Sequence, residues 1–333
     1  MPAEWEPHAA TWIAWPHNEE DWPGRFEPIP WVYAEIVRKL SAVERVCILV
    51  TDADAEEAAR AMLVTAGAEM AAVVFHIQPT DRVWTRDFAP LFLRSAQGEV
   101  AAAKWRFNGW AKYENHTRDD IAGHAVANFA GVRCWTPDMV LEGGSIDVNG
   151  AGLLLTTEEC QLSDTQARNP EMTREQIEAR LGEFLGIDRV LWLRNGIVGD
   201  DTHGHIDDLA RFTDRDSMVL VSEGDPADAN YELLRENREI ARSFGLRVRE
   251  LPMPEPLWFD GQRLPASYAN FYIANQIVLV PTFNDPHDRV ALQVLAEAFP
   301  DRRVIGIHCV ELVWGLGTLH CMTQQQPAGA VPG

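Results

Sequence analysis

Positive charge is scarce in this chain of 333 residues: 29 Lys and Arg stand against 50 Asp and Glu, a net charge of −21. That balance argues against a nucleic-acid partner, because phosphate binding needs a basic footprint. Cysteine is scarce too. The five, Cys47, Cys134, Cys160, Cys309 and Cys321, include no C-x-x-C pair. Neither a disulfide framework nor a zinc cluster fits, and a reducing compartment does. No apolar run reaches the ~18 residues that span a bilayer. The start, from Met1 to His8, lacks the basic-then-apolar order of a signal peptide. A soluble, cytoplasmic protein without a membrane partner is expected, and self-association into a homo-oligomer is left open. What the chain does have is apolar content, 46%, enough for a large core. Its acidic field would concentrate small cations.

The organisation is repetitive. Helix-like segments begin near Arg118, Thr173, Asp228 and Pro286, spaced 55 to 58 residues apart. Strand-like runs at 145–148 and 153–156 flank Asn149-Gly150, a strong hairpin signal. Further pairs fall at 209–213 and 217–222, and at 271–274 and 277–281. Runs at 189–193, 246–251 and 303–307 follow the helices. The module is strand, strand, helix, strand. The beginning is less regular, with a helix over 30–40, a strand over 45–50, a helix over 54–66 and a strand over 72–77. About five modules fill residues 1–333, read as one catalytic domain. Self-similarity at a fixed period points to a radial or linear array. A radial array has a centre where loops from every blade meet.

Four residues with chemical potential occupy matching places in this repeat. Asp87, Glu142, His205 and Cys321 each follow a module's last strand, and Asn270 stands at the corresponding place in the remaining module. Cys321 lies among Gly315, Gly317, Thr318, His320, Thr323 and three glutamines, which suits a polar pocket better than a core. Cys47 and Cys309 lie in or beside apolar strands and read as packing. His205 has acids on both sides, an environment that raises proton affinity. The rival reading sets His203 and His205 on one face of a strand, with an acid, as zinc ligands. Asp87 could pair with Arg86 at the surface, but Trp84 and Phe88 make that segment too apolar, and Trp84 is a candidate substrate contact. Glu142 precedes Gly143-Gly144, where the backbone needs unusual angles or close approach. On a strand, Asp207 rather than Asp208 would share the face of His205.

Together these motifs resemble the family of agmatine deiminases and bacterial, Porphyromonas-type peptidylarginine deiminases. The likeness runs from Met1-Pro2-Ala3-Glu4-Trp5-Glu6-Pro7-His8 through Trp12 and Trp15-Pro16, residues 141–147 and Thr156-Thr157-Glu158-Glu159-Cys160 to His320 and Pro327. It implies a pentein fold: a five-bladed, pseudo-symmetric α/β propeller of ββαβ modules around a central channel. It also implies that Cys321 of H-C-x-T-Q-Q is the nucleophile and His205 of G-H-x-D the general acid and base. Asp207 and Asp87 would hold a guanidinium, Glu142 would be a further active-site acid, and Asn270 would lie near the nucleophile. Three places depart from the usual agmatine deiminase pattern. Gly315-Leu316-Gly317-Thr318-Leu319 replaces G-G-G-N before I-H-C, Thr202-His203-Gly204-His205 replaces T-D-G-H, and Phe107-Asn108-Gly109-Trp110-Ala111-Lys112 replaces F-N-A-W-G-G. The reacting residues persist through all three.

The expected partner is thus a small cationic guanidino compound, with agmatine first. Hydrolysis through a covalent thiouronium on Cys321 would need no metal and no other cofactor. Free arginine is an alternative substrate, since Arg86, Arg106 and Arg211 lie near the motifs, and peptidylarginine is another, which would need an open cleft. An amidinotransferase would use the same thiol with an amine acceptor, and a binding protein on a retired enzyme fold would be expected to have lost one of the set.

Overall fold

A strand covered on both faces needs an almost unbroken apolar run, and the repeats supply them. Ile48-Leu49-Val50, Val219-Leu220-Val221 and Val278-Leu279-Val280 are at most 2% exposed. Each lies inside a mixed sheet of the computed structural model, which describes residues 1–331.

Four of the sheets have three strands in one order. Leu91–Arg94 pairs antiparallel with Val100–Ala103, which runs parallel to Arg133–Trp135. The same pattern joins Asp147–Val148, Leu153–Thr157 and Arg189–Leu193. It recurs in Ala210–Asp214, Ser217–Ser222 and Arg247–Pro252, and in Tyr272–Ile273, Ile277–Thr282 and Arg303–His308. The parallel step crosses over through a helix each time: Thr117–Phe129, Arg174–Leu185, Asn230–Arg242 and Asp288–Ala298. These are the four helices expected from the repeat, with starts shifted by one or two residues. Arg174–Leu185 begins at a Thr173–Gln176 capping box and ends at Gly186 in the left-handed conformation, which satisfies both sets of free backbone groups.

The irregular beginning has a topological cause. His8–Ala14 pairs antiparallel with Gln324–Pro327 from the far end of the chain and parallel with Arg45–Val50. The first sheet therefore takes one strand from each terminus, then adds Val73–Ile77 after the helix Ala53–Ala66. The strand over Gln324–Pro327 is invisible to a local reading, because its residues are polar and its partner is some 300 positions away. The helix Ile29–Ser41 buries Ile29, Tyr33, Ile36, Val37 and Leu40 completely, a 3.6-residue stripe worth about 1.5–3 kcal/mol for each large side chain. A short ribbon, Trp258–Phe259 with Gln262–Arg263, falls outside the repeat. The fold is thus mixed α/β, four three-stranded sheets of one pattern and a four-stranded first sheet closed by the last strand. Among the described residues no helix is long and apolar enough to cross a membrane.

Candidate active site

The segments between modules bring the expected residues together. Trp84 leads into the short helix Thr85–Phe88, whose residues are all buried. Its Arg86 amide donates to the Cys321 carbonyl (3.1 Å), so the first and last loops are tied by backbone. Asp87 Oδ1 accepts from the Gly144 amide and Oδ2 from Trp110 Nε1, both at 2.9 Å. Arg86 does not pair with Asp87. Its guanidinium donates to Gln325 Oε1 (2.7 Å), to the His320 carbonyl (3.3 Å) and to Glu4 Oε2 (3.4 Å).

The Gly143-Gly144 pair is explained by close approach. A Cβ on Gly144 would stand 2.6 Å from His205 Nδ1, 2.8 Å from Asp87 Oδ1 and 3.0 Å from Asp207 Oδ2. No larger residue fits there without moving the three side chains that matter most.

His205 is held by a turn, not a strand. Asp200 Oδ2 accepts from the Gly204 and His205 amides, both at 2.8 Å, and Gly204 adopts φ +94°, a region glycine enters without strain. Residues 206–208 form a single 3₁₀ turn. The strand assumed for both the zinc reading and the Asp207 expectation is thus absent, although Asp207 is still the acid of the pair beside His205, at 3.9 Å. His203, at φ +63°, turns its Nε2 to Ser163 Oγ (3.1 Å), while His205 points into the cluster, so the two imidazoles do not make a shared zinc face. Asp207 and Asp208 both approach the thiol, their oxygens lying with Cys321 Sγ within 4.8 Å of one another.

The centre is an imidazole and a thiol on either side of one carboxylate. His205 Nδ1 lies 3.9 Å from Asp207 Oδ1 and 3.9 Å from Asp87 Oδ1, and Nε2 lies 3.9 Å from Glu142 Oε2. Cys321 Sγ is 3.6 Å from Asp207 Oδ2 and accepts from Asn270 Nδ2 at 3.1 Å. Asn270 Oδ1 in turn accepts from Thr318 Oγ1 (2.8 Å), the His320 amide (3.0 Å) and the Cys321 amide (3.4 Å), which fixes the loop that carries the sulfur. Both nitrogens of His205, Glu142 Oε2 and Asp207 Oδ1 are buried without a hydrogen-bond partner. Buried polar atoms are nearly always paired, so this concentration marks a place built to receive a polar partner.

Electrostatics follow from burial among acids. Burial and the nearby carboxylates of Asp207 and Glu142, partly offset by His205, push Asp87 up to about 6. Burial also disfavours charge on Glu142, but Arg168 and His205 outweigh it and hold the carboxyl at about 2. For His205, burial opposes the cation, yet Asp87 above all, with Cys160 and Glu142, keeps its pKa well above the ordinary imidazole value. Burial, then Asp207, Asp208 and Asp87, drive the Cys321 thiol well above its usual range. The resting pair is therefore a neutral thiol and a charged imidazole.

A cavity of about 120 Å³ reaches the sulfur, lined by Asp21, Trp84, Asp87, Trp110, Asp201 and Cys321 among others. Asp21 is buried with Oδ2 unpartnered. Its pairing with Arg82 does not outweigh burial, which pushes its pKa up to about 6. Asp201 binds Lys112 and accepts from Tyr113 Oη (2.7 Å). Sequence reasoning did not single out Asp21, Asp201, Asp208 or Trp110 for a role. Trp110 had a signal, its place in the motif 107–112. Asp201 and Asp208 had one too, their places in the acid-rich stretch around His205, whereas Asp21 had none beyond the acidic composition.

Two trios of donor atoms could bind a cation, Glu142–Cys160–His205 and Asp207–Asp208–Cys321. Both share atoms with the cluster just described, so a metal at either would occupy lone pairs that a guanidinium or a proton transfer would use.

The arrangement defines a class of site: a buried thiol beside an imidazole and several carboxylates. Residues 1–327 match the model of the Porphyromonas-type peptidyl-arginine deiminase family, and the chain belongs to that family. It is similar to the agmatine deiminase of Ectopseudomonas mendocina, 34% identical, with 98% of this chain and 95% of that one covered. It is similar in structure to a Cys-to-Ser variant of C. jejuni agmatine deiminase with substrate bound, at TM-score 0.90 and 30% identity, covering 99% and 96% of the two chains. It is also similar to the agmatine deiminase of Enterococcus faecalis, at TM-score 0.90 and 29% identity, covering 98% and 95%.

Proposed function

We propose that the chain hydrolyses agmatine to N-carbamoylputrescine and ammonia, acting as one catalytic unit. The observation that carries the reading is the bracketing of Asp207 by Cys321 and His205, with Asp87 and Glu142 alongside. Relatives and neighbours named agmatine deiminase over nearly the whole chain support it.

A guanidinium stays charged at neutral pH, with a pKa above ~12. Asp87 and Asp207 suit its fork of donors through charge-assisted bonds. Its positive charge offsets the three acids that keep Cys321 protonated, so binding the cation favours loss of the thiol proton to solvent. The thiolate attacks the central carbon. His205 gives its proton to one amino group, the C–N bond breaks and ammonia leaves, with a cationic thiouronium left on sulfur. Neutral His205 then takes a proton from water, whose oxygen attacks the same carbon. Collapse breaks the C–S bond, releases the ureido product and a proton, and restores the thiolate. The net change is guanidinium plus water to urea plus ammonium. That a Cys-to-Ser variant of the C. jejuni enzyme holds substrate fits a cysteine nucleophile.

The mouth favours agmatine over arginine. Its acids Glu20, Asp21 and Asp201 suit a second cation, while its arginine, Arg82, is bound to Asp21. Arg86 and Arg211 are buried on Glu4, and Arg106 sits with Asp138 at the surface. No arginine among these is free to clamp a carboxylate. Ammonia and ureido formation from agmatine, free arginine and an arginine peptide test the reading. Agmatine should exceed the others in kcat/KM by at least about tenfold, the worth of one charged contact. Preference for arginine would overturn the substrate, and a requirement for an added amine would turn the reaction into amidine transfer.

A further inference from the structure

Residues 163–169 lie between the helices Glu158–Leu162 and Arg174–Leu185 and belong to no strand. Four polar side chains of this segment, Ser163, Gln166, Arg168 and Asn169, reach loops of the active site. Ser163 Oγ meets His203 Nε2 at 3.1 Å. Gln166 Nε2 donates to the Trp110 carbonyl (3.2 Å) and the Asp201 carbonyl (3.1 Å), the two residues that form one wall of the cavity. Arg168, fully buried at its side chain, donates to Glu142 Oε1 (3.0 Å), to the Thr202 carbonyl (2.5 Å) and to the Gln166 carbonyl (2.9 Å). Asn169 exchanges two bonds with the backbone of Val140, at 2.9 and 2.8 Å. Gln166 adopts φ +48°, an unfavourable angle for a non-glycine residue that surrounding structure must enforce. One irregular segment thus joins the loop of Glu142, the loop of His205 and the wall formed by Trp110 and Asp201.

We propose that residues 163–169 act as a strap that sets the active site in register, with two positioning residues of separate effect. Arg168 aligns Glu142 with His205 and so governs the acid–base step. Gln166 aligns Trp110 with Asp201 and so governs substrate binding. This rests on the deiminase reading for its kinetics but not for its geometry. The titratable groups facing the imidazole are Asp87, Glu142, Asp207 and Cys160, with Asp208 next along the chain. Of these, Glu142 is the one the strap touches. An arginine fork holds its donors in fixed, spread directions, whereas a lysine ammonium offers three rotatable donors from a single point.

The full-length enzyme is compared with Gln166→Ala, Arg168→Lys and Arg168→Gln variants, using agmatine across pH. Gln166→Ala should raise KM about threefold to tenfold, the worth of one hydrogen bond, with kcat within about twofold. Arg168→Gln should lower kcat about 100-fold, as a misplaced reacting group does, with KM within about threefold. It should also move the alkaline limb of kcat to lower pH, because Glu142 loses the partner that keeps it charged and His205 then holds its proton less firmly. Arg168→Lys, which keeps the charge and loses the fork, should restore the limb but not the rate. A separate readout needs no turnover: the His205 imidazole, titrated by NMR in a Cys321→Ala background, should lose its proton at lower pH when Arg168→Gln is added. An unmoved His205 titration overturns the role of Arg168, and so does a kcat within threefold of the parent. Equal effects on KM and kcat in both variants overturn the division of labour. If Arg168→Gln does not fold, the Arg168→Lys rate and the Gln166→Ala split still decide. If agmatine is not turned over by the parent, the function fails and the NMR titration still judges the strap.

Discussion

Asp207 separates two regions built from the same chemical groups. Behind it, His320 bonds Asp207 Oδ2 through Nδ1 (2.7 Å) and Glu4 Oε2 through Nε2 (2.9 Å). Glu4 also accepts from Arg211 (2.9 Å), Arg86 (3.4 Å) and the Ile273 amide (2.7 Å), and Arg211 lies 3.4 Å from Asp147. In front of it, His205 stands 3.9 Å from both Glu142 and Asp207, with atoms of all three left unpartnered. Both regions are buried and both hold histidine, arginine and carboxylates. The difference lies in pairing. The rear set spends its charges on itself and fixes geometry, whereas the front set keeps acceptors open for a cation. Residue type does not distinguish the two regions here, and the density of unpartnered atoms does: the front has both nitrogens of His205, Glu142 Oε2 and Asp207 Oδ1, the rear only Arg211 Nε.

The comparison is broken most severely by removing a group from either side. Cys321→Ala should cut agmatine turnover at least ~10⁴-fold, as losing a covalent nucleophile does. It removes one small side chain, so the melting temperature should move by no more than about 2–4 °C. Residual turnover near the parent's would end the thiouronium mechanism. Glu4→Ala should do the reverse. It strips the shared carboxylate from Arg86, Arg211 and His320 and should lower unfolding stability in urea by roughly 3–5 kcal/mol, the usual result of breaking a buried ion pair. A loss below about 1 kcal/mol would mean that the rear network is not the structural half of the pair.

The front region was largely legible in the sequence, and the rear was not. Asp87, Glu142, His205, Asn270 and Cys321 recur at one place in each module, and the backbone repeat carries that place to a common centre. Trp84 was legible because its neighbours are too apolar for a surface. The orientation of His205 and Asp207 was not, because a turn set by Asp200 and Gly204 replaced the assumed strand. The two-residue strand rule still put Asp207 beside His205, but it did not show that Asp208 approaches the thiol. Glu4 and His320 were quoted for their motifs but could not be paired, since the first sheet closes through strands from opposite ends of the chain. Arg168 sits in an irregular loop without period, and only its three acceptors reveal what it does.

Protons sharpen the contrast. Asp87, with a pKa near 6, should lose its grip on the cation as pH falls below that value. The kcat/KM for agmatine should fall about tenfold per unit there. An ordinary aspartate would keep it to about pH 4. The stability sign is opposite to the usual one. The folded state binds the Asp87 proton more tightly than the unfolded chain does, so protonation between about pH 6 and 4 adds stability. Glu142 behaves conventionally: with a folded pKa of about 2, its contribution is present above about pH 4.5 and is lost as pH falls towards 2. The kcat/KM should therefore fall to about a tenth near pH 5 with the fold intact, and return fully on neutralisation. Inactivation that tracked unfolding, read by circular dichroism on the same samples, would place the sensitive acid in the rear network instead.

The smallest effect belongs to the mouth, which the two-region contrast extends outward. Asp21 Oδ2 is buried and unpartnered like the atoms around His205, while Asp201 is engaged by Lys112 and Tyr113. If the same rule holds, Asp21 is the acid left open for the distal charge of the substrate. Asp21→Asn should raise KM for agmatine about threefold to tenfold, one partly screened charge contact, and change kcat little. It also frees Arg82, whose positive charge then disfavours a cationic tail and favours a carboxylate. Turnover of free arginine should accordingly rise relative to agmatine. An unchanged ratio of the two substrates would mean that the tail is read elsewhere, and that an unpartnered buried acceptor marks a ligand contact only where the reacting groups themselves converge.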